Sequence, residues 1–76
     1  MSDILSMTGA AFIRRIRKVG RKNGVPVRFV AQRGKGSHGT LFYGSHFTIV
    51  RNPRDELKKG TLHAMLGQLG LNFNDL

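Results

Sequence analysis

The chain has no cysteine, so neither a disulfide nor a thiolate zinc site can hold it together. It is nearly as poor in acids, with four Asp and Glu in 76 residues. Asp3 and Asp75 lie near the ends, which leaves the adjacent Asp55 and Glu56 as the only central pair. A two-metal nuclease needs several convergent carboxylates to hold its ions, which argues strongly against a magnesium-dependent nuclease. His38, His46 and His63 are spaced by 8 and 17 residues, which fits no common zinc-ligand pattern. No metal and no cofactor is expected. Nothing approaches the roughly 20 apolar residues of a membrane span. The opening "MSDILSMTGAAF" carries an acid where a signal peptide would carry basic residues. A soluble cytoplasmic protein without membrane attachment is the expectation.

Positive charge is what the sequence has in excess. Thirteen Lys and Arg face the four acids, a net charge of +9. From Ile4 to Arg54 there is no acid, yet eleven of the basic residues fall there. Such one-sided charge attracts polyanions. Nucleic acid is the first candidate, an acidic protein the second and an anionic membrane the third; a merely solubilising surface is the bland alternative.

The length predicts one domain over residues 1–76 with a modest core. Residues 1–7 read as a loose lead-in and 72–76 as a tail. Thr8 suits the N-cap of a helix whose apolar stripe is Phe12, Ile13, Ile16 and Val19. Gly24 suits its left-handed C-terminal cap. "VPVRFVAQ" reads as a strand with Val25, Val27, Phe29 and Ala31 on one side and Arg28 on the other. Pro26 belongs at its start or on an edge. "TLFY" and "HFTIVR" flank Gly44-Ser45, a two-residue hairpin signal.

That turn sets Tyr43 opposite His46, Phe42 opposite Phe47, Leu41 opposite Thr48 and Thr40 opposite Ile49. Cross-strand partners share a face. Thr40, Phe42, Phe47 and Ile49 are therefore expected on the core face, and Leu41, Tyr43, His46, Thr48 and Val50 outside. "NPRDELKK" reads as a polar connection. A second helix opens at Gly60-Thr61, with Leu62, Met65, Leu66 and Leu69 as its stripe. Gly70 ends it and Leu71 folds back onto it. The sum is a two-layer α+β domain of order α-β-β-β-α. Both helices cover one face of a three-stranded antiparallel sheet.

The segment "RGKGSHGTLFYG", residues 33–44, carries the chemistry. It lacks the spacing of a nucleotide-binding P-loop. Gly34, Gly36 and Gly39 let the backbone approach a bulky anion. Arg33 and Lys35 bring positive charge, and Ser37 a hydroxyl donor. Within that setting His38 is the side chain suited to proton transfer near neutrality. Beside an RNA phosphate it can act as general base on the 2′-hydroxyl or as general acid on the leaving oxygen. From the residues alone the plainer reading is a loop residue without a task. His46 reads as an exposed strand residue and His63 as a solvent-side helix residue. Tyr43 and His46 are candidates for a second proton-transfer group only where the fold brings them near His38.

"KGSHG", a short hairpin and then "LKKGTLHAMLGQLGL" resemble the HicA toxins, small messenger-RNA interferases of toxin–antitoxin pairs. The shared features are Gly36-Ser37-His38, Lys59-Gly60-Thr61-Leu62 and Gly70-Leu71, over residues 8–71. Two departures stand out. The stretch "VPVRFVAQRGK" is longer than usual, and Gly39 replaces a bulkier polar residue.

The resemblance implies a double-stranded-RNA-binding-domain-like fold and metal-independent cleavage of messenger RNA. It implies His38 as the catalytic residue. Arg33, Lys35, Gly36, Ser37, Lys58 and Lys59 are then the RNA-binding set. The implied partner is a HicB antitoxin, acidic at its contact surface, that blocks the active site. A non-catalytic RNA-binding module on the same fold is the alternative.

Overall fold

The computed structural model describes residues 6–32 and 38–76. In chain order they form β1 (Ser6–Thr8), α1 (Gly9–Asn23), β2 (Val27–Ala31), β3 (Gly39–Tyr43), β4 (His46–Val50), β5 (Glu56–Lys58), α2 (Lys59–Gln68) and a 3₁₀ turn (Phe73–Asp75). β2, β3 and β4 make an antiparallel sheet in that order, and β1 and β5 pair as a second, two-stranded ladder. The core α-β-β-β-α plan holds, with both helices against one face of the larger sheet.

Local signals in the sequence become local geometry. The Thr8 hydroxyl accepts from the Ala11 amide at 3.1 Å, and Gly24 closes α1 with φ of 69°. Phe12, Ile16 and Val19 are buried, and Ile13 packs half-buried against them. At the end of α2 the Leu71 amide donates to the Leu66 carbonyl and the Gly70 amide to the Gly67 carbonyl. With Gly70 at φ of 75° these are the two bonds of a Schellman cap. Leu71 folds back against the core as expected.

The hairpin register is the expected one, with Tyr43 opposite His46 and Phe42 opposite Phe47. The face is the reverse of the expectation. Leu41, Tyr43, Thr48 and Val50 are buried under the helices, whereas Phe47 is 55% and Ile49 50% exposed. Thr40 and Phe42 also lie on the outer face, half-buried. The cause is β2. Its pattern is unambiguous, with Val27 and Phe29 inward and Arg28 outward. It pairs with β3 so that Val27 meets Tyr43 and Phe29 meets Leu41. Partners share a face, so β2 pulls Leu41 and Tyr43 into the core. The polar members are satisfied there. Thr48 donates its hydroxyl to the Gln68 side-chain carbonyl, and Asn23 donates its amide to the Tyr43 hydroxyl at 3.0 Å.

The ends also differ from expectation. Within the expected lead-in, Ser6 and Met7 pair with Lys58 and Leu57, and Thr8 pairs with Glu56. "NPRDELKK" is thus no plain connection, because β5 lies inside it. Met7 and Leu57 explain the pairing, since both pack against the core. The tail forms a 3₁₀ turn whose capping box joins Asn72 and Asp75, and Phe73 stacks on His63 with centroids 5.9 Å apart. No described helix is long and apolar enough to cross a membrane.

Candidate functional site

His38 stands at the head of β3 and is exposed. Its carbonyl accepts from the Gln32 amide at 2.8 Å, which extends the β2–β3 ladder one step beyond Ala31 and Gly39. On the other side Gly39 pairs with Val50, so Arg51, the residue directly after β4, reaches the same end of the sheet. Strand alternation then sets Gln32 beside His38, with Arg51 just past the last pair of β3 and β4. Gln32 and Arg51 are exposed too. Alternation puts Gln32 and His38 on the outer face, whereas Arg51, beyond the β4 edge, also borders α2.

The loop that leads from Arg51 to β5 is tied to the start of α1. The Gly9 and Ala10 amides at the start of α1 donate to the carbonyls of Asp55 and Pro53, at 3.0 and 2.8 Å. Gly9 is buried so closely that a Cβ there would stand 2.9 Å from Pro53 Cα and 3.0 Å from the Asn52 carbonyl oxygen. Two of the orphan amides of α1 are thus satisfied by the 51–55 loop. That packing fixes the segment carrying Arg51 against a rigid element.

Of the expected phosphate-binding residues, Arg33, Lys35, Gly36 and Ser37 lie outside the described residues. Lys58 and Lys59 are exposed at the start of α2, and Lys58 pairs with Ser6. The larger cationic surface is α1, where Arg14, Arg15, Arg17, Lys18, Arg21 and Lys22 are all exposed. They border a shallow groove of about 810 Å³ closed at one side by Asp75 and Leu76. A second groove of about 550 Å³ runs between the β4 edge and α2, with Arg51 and Thr61 in its wall. Among the described residues no three His, Asp or Glu side chains converge as metal ligands.

Tyr43 and His46 do not join His38. Tyr43 is buried on the opposite face, at the other end of β3, about 17 Å away at ordinary strand rise. His46 lies at that same far end, over the cap of α2. A Cβ on Gly70 would stand 3.4 Å from its Nε2. Gln32 stands beside His38 instead, and Arg51 follows β4 at the same end of the sheet. Neither was singled out from the sequence. Arg51 was within reach, because the hairpin register that pairs Tyr43 with His46 runs to Gly39 and Val50 and so brings the residues just beyond them, His38 and Arg51, to one end of the sheet.

Gly39 is buried beneath the Phe29 ring, whose Cζ would lie 2.3 Å from a Cβ at that position. The residue after the Gly-Ser-His motif is therefore small because β2 fills its space. No family model matches the chain, and neither the curated proteins nor the solved structures contain a match to it.

Proposed function

We propose that the protein is an endoribonuclease that cleaves messenger RNA without a metal ion, as the toxin of a toxin–antitoxin pair. The observation that carries this reading is the end of the sheet shared by Gln32, His38 and Arg51. It joins a proton-transfer group and a permanent cation at one exposed sheet end. His38 takes the proton of a ribose 2′-hydroxyl. The oxygen attacks the adjacent phosphorus, the bond to the 5′-oxygen breaks, and that oxygen leaves with a proton from solvent. The products are a 2′,3′-cyclic phosphate and a 5′-hydroxyl. The Arg51 guanidinium meets the charge that grows on the phosphoryl oxygens. Arg33 and Lys35 precede His38 by five and three residues in sequence. An inhibitory partner fits the same chemistry, because acidic side chains complement a surface of net charge +9.

The test is incubation of the purified protein with single-stranded RNA in EDTA, with His38→Ala alongside. Cleavage by the parent and none by the variant is the expected result. Equal cleavage by both removes His38 from the mechanism, and intact RNA with the parent leaves only an RNA-binding module.

A further inference from the structure

Val30, Phe47 and Ile49 are the large hydrophobic side chains left exposed among the described residues, at 44%, 55% and 50%. All three lie on the outer face of the β2–β3–β4 sheet. The pairings arrange this face in rows. Arg28, Phe42 and Phe47 form the row nearest the hairpin, and Val30, Thr40 and Ile49 form the next. Gln32 and His38 continue the same alternation, and Arg51 follows β4 at that end. The exposed apolar surface therefore leads directly to the candidate catalytic histidine.

The first row has the chemistry of a stacking surface. The Phe42 and Phe47 centroids are 6.1 Å apart with planes tilted by 51°. The Arg28 guanidinium carbon lies 5.4 Å from the Phe42 centroid. Rings and guanidinium planes are the groups on which unpaired nucleobases stack. β2, β3 and β4 contain no carboxylate to repel a phosphate backbone, and Arg28 and Arg51 stand at the two ends of the face. Rows on one face are about 7 Å apart along the strands, roughly twice the rise per nucleotide of a stacked strand. A nucleic acid that follows the rows must have its bases splayed, which a duplex does not allow.

We propose that this face is a platform for single-stranded RNA, with the scissile phosphate at His38 and the neighbouring bases over Ile49 and Phe47. The assignment of the scissile phosphate rests on the nuclease reading; the platform itself does not. The distance from His38 to Phe42 is about 14 Å at strand rise, room for two or three splayed nucleotides. The rest of the sheet explains why the face stays open. Both helices are committed to the other side by Leu41, Tyr43 and Val50.

The chain has no tryptophan, so Phe47→Trp places a single reporter on the platform. The probe is a ten-nucleotide 2′-O-methyl RNA, which cannot be cleaved through its 2′-oxygen, given as a single strand and as a duplex. The single strand is expected to quench the tryptophan emission and the duplex to leave it unchanged. Phe47→Ala is expected to bind the single strand about 10-fold more weakly with duplex affinity unaltered, and Phe47→Tyr to bind like the parent. Phe47 is exposed, so circular dichroism of each variant should match the parent.

Equal single-strand affinity for the parent and Phe47→Ala overturns the platform, as does quenching by the duplex as strong as by the single strand. Unchanged RNA affinity with a shift in oligomeric state, or with loss of an acidic protein partner, makes the face a protein contact instead. The two readings fail separately. A Phe47→Trp variant that is quenched by the single strand, in a protein that leaves unmodified RNA intact, loses the nuclease and keeps the platform. A parent that cleaves, with Phe47→Ala at unchanged KM, loses the platform and keeps the nuclease.

Discussion

Phe29 occupies the space that a side chain on Gly39 would need, its Cζ 2.3 Å and its Cε1 2.7 Å from a Cβ built there. The two are diagonal neighbours across the β2–β3 ladder, since Phe29 pairs with Leu41. A ring laid over a strand glycine restores packing that the glycine lacks. Gly39→Ala is therefore expected to destabilise the fold by about 1–3 kcal/mol, as overpacking does. Combining it with Phe29→Leu should cost less than the sum of the single changes, because the smaller side chain vacates the space. Urea denaturation of the two single variants and the double variant measures this. Strict additivity would mean that the ring is not what keeps the position small.

For the proposed cleavage, His38→Ala should lower kcat by about 10²–10⁴-fold, the usual worth of a general acid or base. Arg51→Ala should lower it by on the order of 10²-fold, as loss of a donor to developing charge does. Arg51→Lys should recover part of that. Single-turnover cleavage at saturating protein separates both effects from binding. An Arg51→Ala variant with parental kcat would remove the arginine from the reaction.

Tyr43→Phe should leave cleavage unchanged. Its hydroxyl accepts from Asn23 on the helix side of the sheet, remote from His38. The expected effect is a stability loss of about 0.5–1.5 kcal/mol from one hydrogen bond. Thermal unfolding and cleavage measured on the same sample check both parts, and a large drop in cleavage at intact fold would return Tyr43 to the site.

Affinity for RNA should fall steeply with salt, because phosphate contacts release counterions. Replacing Arg14 or Arg17, exposed on α1, with Ala should reduce the log–log salt slope by roughly 0.7–1 if that residue contacts a phosphate. Anisotropy titrations over a range of salt concentrations give the slope. An unchanged slope for every α1 variant would make the helix a solubilising face.

Much of the fold was legible because its signals are local. Thr8, Gly24, Gly44 and Gly70 each mark a cap or turn by chemistry confined to a few residues. The Gly44-Ser45 turn carried the hairpin register with it. The core face was not legible from the hairpin, where Leu41, Tyr43 and Val50 on one side compete with Phe42, Phe47 and Ile49 on the other. Only the pairing of β2 decides between them, and that pairing spans a glycine-rich segment whose length gives no register. β1 and β5 were missed because three-residue strands show no periodicity and their partners are some 50 residues apart. His38 was legible as a candidate from its glycine-rich, basic setting, whereas only the ladder brings Arg51 to the same end of the sheet.

The β1–β5 ladder has a kinetic consequence. Pairing Ser6 with Lys58 closes a long loop of chain, so its entropy cost is met only after the intervening sheet and helix have formed. Three short pairs of residues offer little protection of their own. The ladder should thus be a separate opening unit, with Met7 and Leu57 amides exchanging hydrogen faster than Leu41 or Phe42. Each opening would loosen the neighbouring 51–55 loop that anchors Arg51 to α1. Hydrogen-exchange rates along the chain would then report how often the protein lets go of its own arginine.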